Sequence, residues 1–190
     1  MNKLLGIIII ILSIWGGVIM SPEISAQKNI DRIYLAGGCF WGVEAYFSKL
    51  KGVVYTEVGY ANGKIKNPTY EEVSVGDTDF AETVLVEYNK NEITLPEILS
   101  NYFEIVDVTS LNRQAHDSGT QYRSGIYYVN EADKEIIENA IREEQKKHSK
   151  PVVTEIKKLD NFYKAEEYHQ KFLEKNPGGY CHIDLSKFNK

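Results

Sequence analysis

The chain has 190 residues, 43% hydrophobic and 26% charged, enough for one domain with a sizeable core. Its 22 Lys and Arg against 27 Asp and Glu leave a net charge of −5, which argues against a nucleic-acid partner. Two cysteines are too few for a disulfide-dense scaffold or an all-cysteine zinc site.

The first residues form a separate segment. Lys3 precedes nineteen uncharged positions, Leu4 to Pro22, and Glu23 is the next charge. A short basic start, an apolar stretch and then Ser25-Ala26 read as a secretory signal cleaved near Ala26. The apolar run is nearly long enough to span a bilayer, so an uncleaved membrane anchor is the alternative. The expected division is therefore a leader at 1–26 and a folded domain at 27–190. The domain is expected to be exported, periplasmic or extracellular, with membrane contact only through an uncleaved leader. Both methionines, Met1 and Met20, fall in the leader.

The remaining sequence alternates strands and helices. Ile33-Tyr34-Leu35-Ala36 is an apolar run closed by Gly37-Gly38, which predicts a buried strand. From Phe40 to Leu50 the apolar residues fall at 40, 43, 46, 47 and 50, the spacing of a helix, and Gly52 ends it. Val53 to Tyr60 predicts a strand, and Ala61-Asn62-Gly63 a turn. Asn67-Pro68-Thr69-Tyr70 opens a loop or short helix, and Thr83 to Tyr88 alternates as a strand. Leu95 to Val106 predicts a helix, capped by Thr94 and with Pro96 in its first turn. Val108 to Arg123 is polar and irregular. A strand over Ser124 to Val129, a charged helix over Glu131 to His148 and a strand over Pro151 to Ile156 follow. A last helix is expected over Ala165 to Lys175, stopped by Asn176-Pro177-Gly178-Gly179. The fold class is α/β or α+β in a single layered domain.

Cys39 carries the most information. It lies between two glycines and the first turn of a helix, where unpaired N–H groups and the positive dipole end stabilise a thiolate. Its pKa is therefore expected below that of a free thiol. Phe40 and Trp41 place an aromatic wall beside the sulfur. A buried structural cysteine is the bland alternative, and the glycine–cysteine–aromatic setting favours a nucleophile. Cys181 lies 142 residues later, in Gly178-Gly179-Tyr180-Cys181. A second thiol in a glycine-rich tail suits a resolving partner, and equally a permanent disulfide in an exported domain. Glu82 precedes an apolar strand and is placed to enter a pocket. Asp117 stands beside a glycine-bracketed polar loop, Gly119 to Gly125. The four histidines show no ligand spacing and no phosphate- or dinucleotide-binding motif is present, so neither metal nor cofactor is expected.

These residues resemble a known family. Gly38-Cys39-Phe40-Trp41-Gly42 is similar to the signature of the peptide methionine sulfoxide reductase A family. So are Asn67-Pro68-Thr69-Tyr70, the run Gly119 to Ser124, and Asn176-Pro177-Gly178-Gly179-Tyr180-Cys181. The four motifs stand in the family's order and cover roughly residues 31–182. The resemblance implies a compact domain built on a mixed sheet flanked by helices, with the nucleophile at a strand-to-helix turn. It implies thiol-dependent reduction of the S epimer of methionine sulfoxide in oxidised proteins or peptides, with free methionine sulfoxide as a further candidate. The implied roles are Cys39 as nucleophile and Glu82 as the acid on the sulfoxide oxygen. Tyr70 and Tyr122 share that oxygen, and Asp117 helps hold the site together. Phe40 and Trp41 receive the S-methyl group, and Cys181 resolves the Cys39 sulfenic acid as a disulfide. A thioredoxin-like dithiol is the implied reductant. The chain departs from the family at Asp79-Phe80, Val106 to Thr109, Ala115-His116 and Phe172, none of which replaces a group with an implied chemical role.

Two other classes compete with that reading. One is a secreted binding module stapled by a structural disulfide. The other is a cysteine hydrolase, which needs a histidine such as His169 within hydrogen-bond reach of Cys39.

Overall fold

The computed structural model describes residues 29–185. The expectations for the leader, 1–26, lie outside these residues. Eight strands and five α-helices follow in chain order. They are β1 (Ile30–Gly37), α1 (Phe40–Phe47), β2 (Val53–Ala61), α2 (Tyr70–Val75), β3 (Ala81–Asn89) and α3 (Leu95–Ile105). Next come β4 (Arg113–Gln114), β5 (Asp117–Ser118), β6 (Ser124–Tyr128), α4 (Glu131–Gln145), β7 (Glu155–Lys158), β8 (Phe162–Lys164) and α5 (Phe172–Lys175).

Six strands make one mixed sheet in the order β7-β6-β1-β3-β2-β8. Only β6 and β7 run parallel, and the crossover between them is α4. The remaining neighbours are antiparallel. The fold is thus the expected mixed sheet flanked by helices.

Side chains alternate across a strand, so β3 serves two cores. Val84, Val86 and Tyr88 join the main core beneath the helices, with Ile33, Leu35, Phe47, Leu99 and Tyr102. Ala81 and Leu85 face the smaller cluster with Tyr34, Ala36, Ala61 and Tyr127. Glu82 has the parity of Val84 and Val86 and so enters the main, helix-covered side.

Local chemistry sets the helix starts. Thr69 and Glu72 form a reciprocal capping box that begins α2 at Tyr70. Thr94 and Glu97 do the same for α3, with Pro96 in the first turn as expected. Asn130 caps α4 through Ala132 N–H.

Two expectations are corrected. The strand expected at 151–156 lies at Glu155–Lys158. Residues before it bond elsewhere: Val152 N–H to Gln145 Oε1 at 2.8 Å, Val153 N–H to Val108 O at 2.8 Å, and Thr154 to Ser124 at 3.1 Å. The helix expected at 165–175 reduces to Phe172–Lys175. Strand β8 pairs with β2 just before it, and Ala165 N–H continues that pairing to Val58 O at 3.0 Å. The Gln170 amide then takes the place of a strand neighbour, bonding Val58 N–H at 3.0 Å and Val58 O at 2.9 Å. Lys171 follows at φ +52°, a conformation that no right-handed helix contains. Tertiary bonding has overridden local propensity here.

Candidate active site

The end of β1 delivers Cys39 to the N-cap of α1. Gly38 makes the turn at φ +82°, and a Cβ there would lie 2.6 Å from Gln114 and 2.9 Å from His182. Only glycine fits both the backbone and the space. Cys39 is buried, 9% exposed, and its thiol is free.

Glu82 meets this helix terminus from β3. It is buried, and its Oε2 accepts the Phe40 N–H at 3.1 Å. Burial raises its pKa to about 8; the Phe40 hydrogen bond opposes this and the Asp117 charge adds to it. At neutral pH Glu82 is therefore predominantly a protonated acid beside the nucleophile.

The thiol does not behave as the sequence predicts. Burial pushes the Cys39 pKa up, and the Glu82 charge adds to this, while the Trp41 backbone N–H lowers it. The helix terminus stabilises the thiolate as expected, but desolvation outweighs it. A proton on Glu82 removes one of the two main obstacles to ionising the sulfur.

Two phenols complete the pocket. Tyr70 is the first residue of α2, and its N–H donates to Glu166 Oε1 at 2.9 Å. Tyr122 ends a short 3₁₀ turn, Thr120–Tyr122. Arg123 clamps that turn by donating to Thr120 O, Asp79 O and Glu155 Oε2, each at 2.9 Å. Tyr122 lies within hydrogen-bond reach of Tyr70. Burial and the Glu82 charge hold both phenols above the ordinary tyrosine value, so both remain donors. Asp117 stands on β5, where Tyr180 O–H donates to its Oδ2 at 3.4 Å.

The aromatic pair is split. Phe40 is buried, with its ring 5.1 Å from His169 and 6.0 Å from Tyr60. Trp41 is partly exposed and borders a cleft of about 460 Å³ that runs along α1 to Pro177 and Leu185. Its indole stacks on Phe172 at 3.8 Å and donates through Nε1 to His169 Nδ1 at 3.0 Å. That bond engages His169, and no described histidine hydrogen-bonds Cys39, so the geometry gives a cysteine hydrolase no base.

Cys181 also reaches this helix. A Cβ added at Gly42 would sit 3.1 Å from its sulfur, and Asp117 and Cys181 both act electrostatically on Cys39. Both thiols are free in this structure. Cys39, Glu82, Tyr70, Tyr122, Asp117 and Cys181 thus converge on one end of the sheet.

Three contributions escape a reading of the sequence, which offers His169 only as the base of a hydrolase. Glu166 fixes Tyr70 and also accepts the Tyr60 O–H at 2.8 Å. His169 holds the indole of Trp41, and Gln114 packs against Gly38. The signal for the first two was the polar run Glu166 to Gln170, which has too few apolar positions to be an ordinary amphipathic helix.

The peptide methionine sulfoxide reductase family model matches residues 31–190. The chain is 59% identical over 156 residues to the peptide methionine sulfoxide reductase MsrA of Clostridium perfringens, covering 82% of this chain and 99% of that one. The crystal structure of reduced Mxr1 from Saccharomyces cerevisiae superposes with a TM-score of 0.79 at 43% identity, covering 83% of this chain and 93% of Mxr1. Mxr1 in complex with Trx2 gives a TM-score of 0.56 at 33% identity, covering 75% and 85% of the two chains.

Proposed function

This chain belongs to the peptide methionine sulfoxide reductase family, and we propose that it reduces methionine sulfoxide in proteins with Cys39 as nucleophile, Glu82 as acid and Cys181 as resolving thiol. The observation that carries this reading is the Glu82 carboxyl, buried and hydrogen-bonded to Phe40 N–H at the Cys39 helix terminus.

A sulfoxide sulfur is electrophilic, but its oxygen leaves poorly until it is protonated. Glu82 retains a proton at neutral pH and supplies it. Tyr70 and Tyr122 donate to the same oxygen as charge develops there. Phe40 and Trp41 receive the S-methyl group, as the family resemblance implies. Oxygen passes from the sulfoxide to the Cys39 sulfur, which becomes a sulfenic acid as methionine departs. The thiol's proton replaces the one Glu82 gives up. The sulfoxide sulfur is reduced by two electrons and the Cys39 sulfur is oxidised by two.

Cys181 then condenses with the sulfenic acid, forming a disulfide and water. An external dithiol reduces that disulfide by exchange. The complex of the relative Mxr1 with Trx2 supports a thioredoxin-type reductant. The family resemblance implies the S epimer as the substrate. The pattern of 1–26 supports export, so the reductant is an exported or membrane-borne donor. An intact mass beginning near Gln27 supports the cleaved leader. A membrane-bound chain retaining Met1 indicates the anchor, and a soluble chain retaining Met1 contradicts both.

The test is anaerobic incubation of the reduced protein with each epimer of a methionine sulfoxide peptide. One methionine per enzyme from the S epimer, with both thiols consumed, is expected. Multiple turnovers by Cys39→Ser with added dithiol would overturn the assignment.

A further inference from the structure

The tail that carries Cys181 has little regular structure, yet His182 within it is buried, its side chain 3% exposed. Burying an imidazole costs free energy unless its nitrogens are bonded. Nε2 is bonded: it donates to Gly37 O at 3.0 Å. A carbonyl only accepts, so the proton sits on Nε2. Gly37 is the last residue of β1, two positions before Cys39. Gly38 admits the ring, since a Cβ there would lie 2.9 Å from Nε2.

The opposite ring edge points to the same site. Nδ1 is buried, makes no hydrogen bond, and stands 3.7 Å from Asp117 Oδ2. Tyr180 donates to that oxygen from the other side of Cys181. Ile183, the next residue, is buried in the main core. The residues flanking Cys181 therefore anchor the tail to β5, β1 and α1, and His182 supplies the polar bond to the β1 end that leads to Cys39.

We propose that His182 is a positioning residue for disulfide formation: it ties the Cys181 tail to β1 and holds the second sulfur within reach of the oxidised Cys39. This rests on the resolving role of Cys181. In the step concerned, the Cys181 sulfur attacks the Cys39 sulfenic sulfur. The S–S bond forms, the Cys39 S–O bond breaks, and the hydroxyl leaves as water with the Cys181 proton. Cys181 is oxidised as Cys39 is reduced. The oxygen transfer assigned above is carried by Cys39, Glu82, Tyr70 and Tyr122, none of them in the tail, so His182 should bear on the second step.

The test is rapid-quench single turnover with an S-sulfoxide peptide, following methionine, free thiols and sulfenic acid trapped by a dimedone-type probe. Wild type, His182→Leu, His182→Gln and Cys181→Ser are compared. Methionine should appear at the wild-type rate in both His182 variants. His182→Leu, which lacks the donor to Gly37 O, should lose the Cys39 thiol with methionine but the second thiol about tenfold more slowly, and accumulate trapped sulfenic acid. His182→Gln retains an N–H donor and should recover to within about threefold of wild type. Loss of the second thiol at the wild-type rate in His182→Leu would overturn the proposal. So would methionine formation that slows as much as loss of the second thiol in both variants, because His182 would then support the whole site. A wild-type protein that keeps its sulfenic acid as long as Cys181→Ser would instead remove the resolving role itself, and this inference with it.

Discussion

The Phe40 N–H donates to Glu82 Oε2 at 3.1 Å, joining the first turn of α1 to the first residues of β3. One hydrogen bond thus aligns a buried carboxyl with the helix terminus that carries Cys39. Burial sets the order of protonation, against the pull of this bond on the Glu82 pKa. Glu82 holds its proton to about pH 8, and a neutral Glu82 no longer opposes ionisation of the thiol.

The rate of the oxygen-transfer step should therefore fall as pH rises through about 8, where Glu82 loses its proton. Glu82→Gln should lose about a hundredfold or more in that rate, and the alkaline limb at 8 should disappear. Single-turnover methionine formation from pH 6 to 10 measures both.

Glu82 should also shape stability. Its pKa is about 8 in the folded protein against 4.5 as the ordinary value. Between those values the folded state binds a proton that the unfolded state has released, so stability falls as pH rises across this window. Its contribution is fully present below 4.5 and lost above 8. In urea denaturation, wild type should lose stability relative to Glu82→Gln between pH 5 and 8, and the difference should level off above that.

Gly42→Ala should separate folding from recycling. Alanine favours a helix over glycine by about 1 kcal/mol. The new Cβ, however, would meet the Cys181 sulfur and Ile183 Cδ1, each at 3.1 Å. The variant should give its first methionine normally and regenerate slowly with dithiol, because the tail is displaced. Steady-state turnover compared with the single-turnover yield checks this.

Much of this arrangement was legible in the sequence because the chemistry there is local. Gly37-Gly38-Cys39 announces a strand, a tight turn and a helix N-terminus in adjacent residues. Thr94 announces its helix as a cap with Pro96 in the first turn, and the loop or short helix expected from Asn67 to Tyr70 is a helix begun by Thr69. The parts that could not be read depend on distant partners. The span 165–175 was expected to be helical, but Gln170 satisfies Val58 across 112 positions of sequence. The direction of the Cys39 pKa was misread for a similar reason. The helix terminus is visible locally, whereas the burial that outweighs it comes only with the folded chain.

Gln170→Leu should show how much that long-range bridge contributes. Its amide serves Val58 N–H, Val58 O and Ala165 O, at 3.0, 2.9 and 2.9 Å. Removing it leaves the buried Val58 N–H unpaired, while Val58 O keeps the Ala165 N–H, and should cost about 1 to 3 kcal/mol of stability in urea denaturation. Cys39 reactivity toward a small sulfoxide should fall less than stability does.

The most direct test concerns the proton on Glu82. In reduced protein labelled with ¹³C at glutamate carboxyls, the resonance lost in Glu82→Gln identifies this group, and its shift can be followed with pH. A midpoint near 8 is expected for a buried acid poised beside Cys39. A midpoint near 4.5, the ordinary value, would make Glu82 a carboxylate at neutral pH and contradict its role as the proton donor.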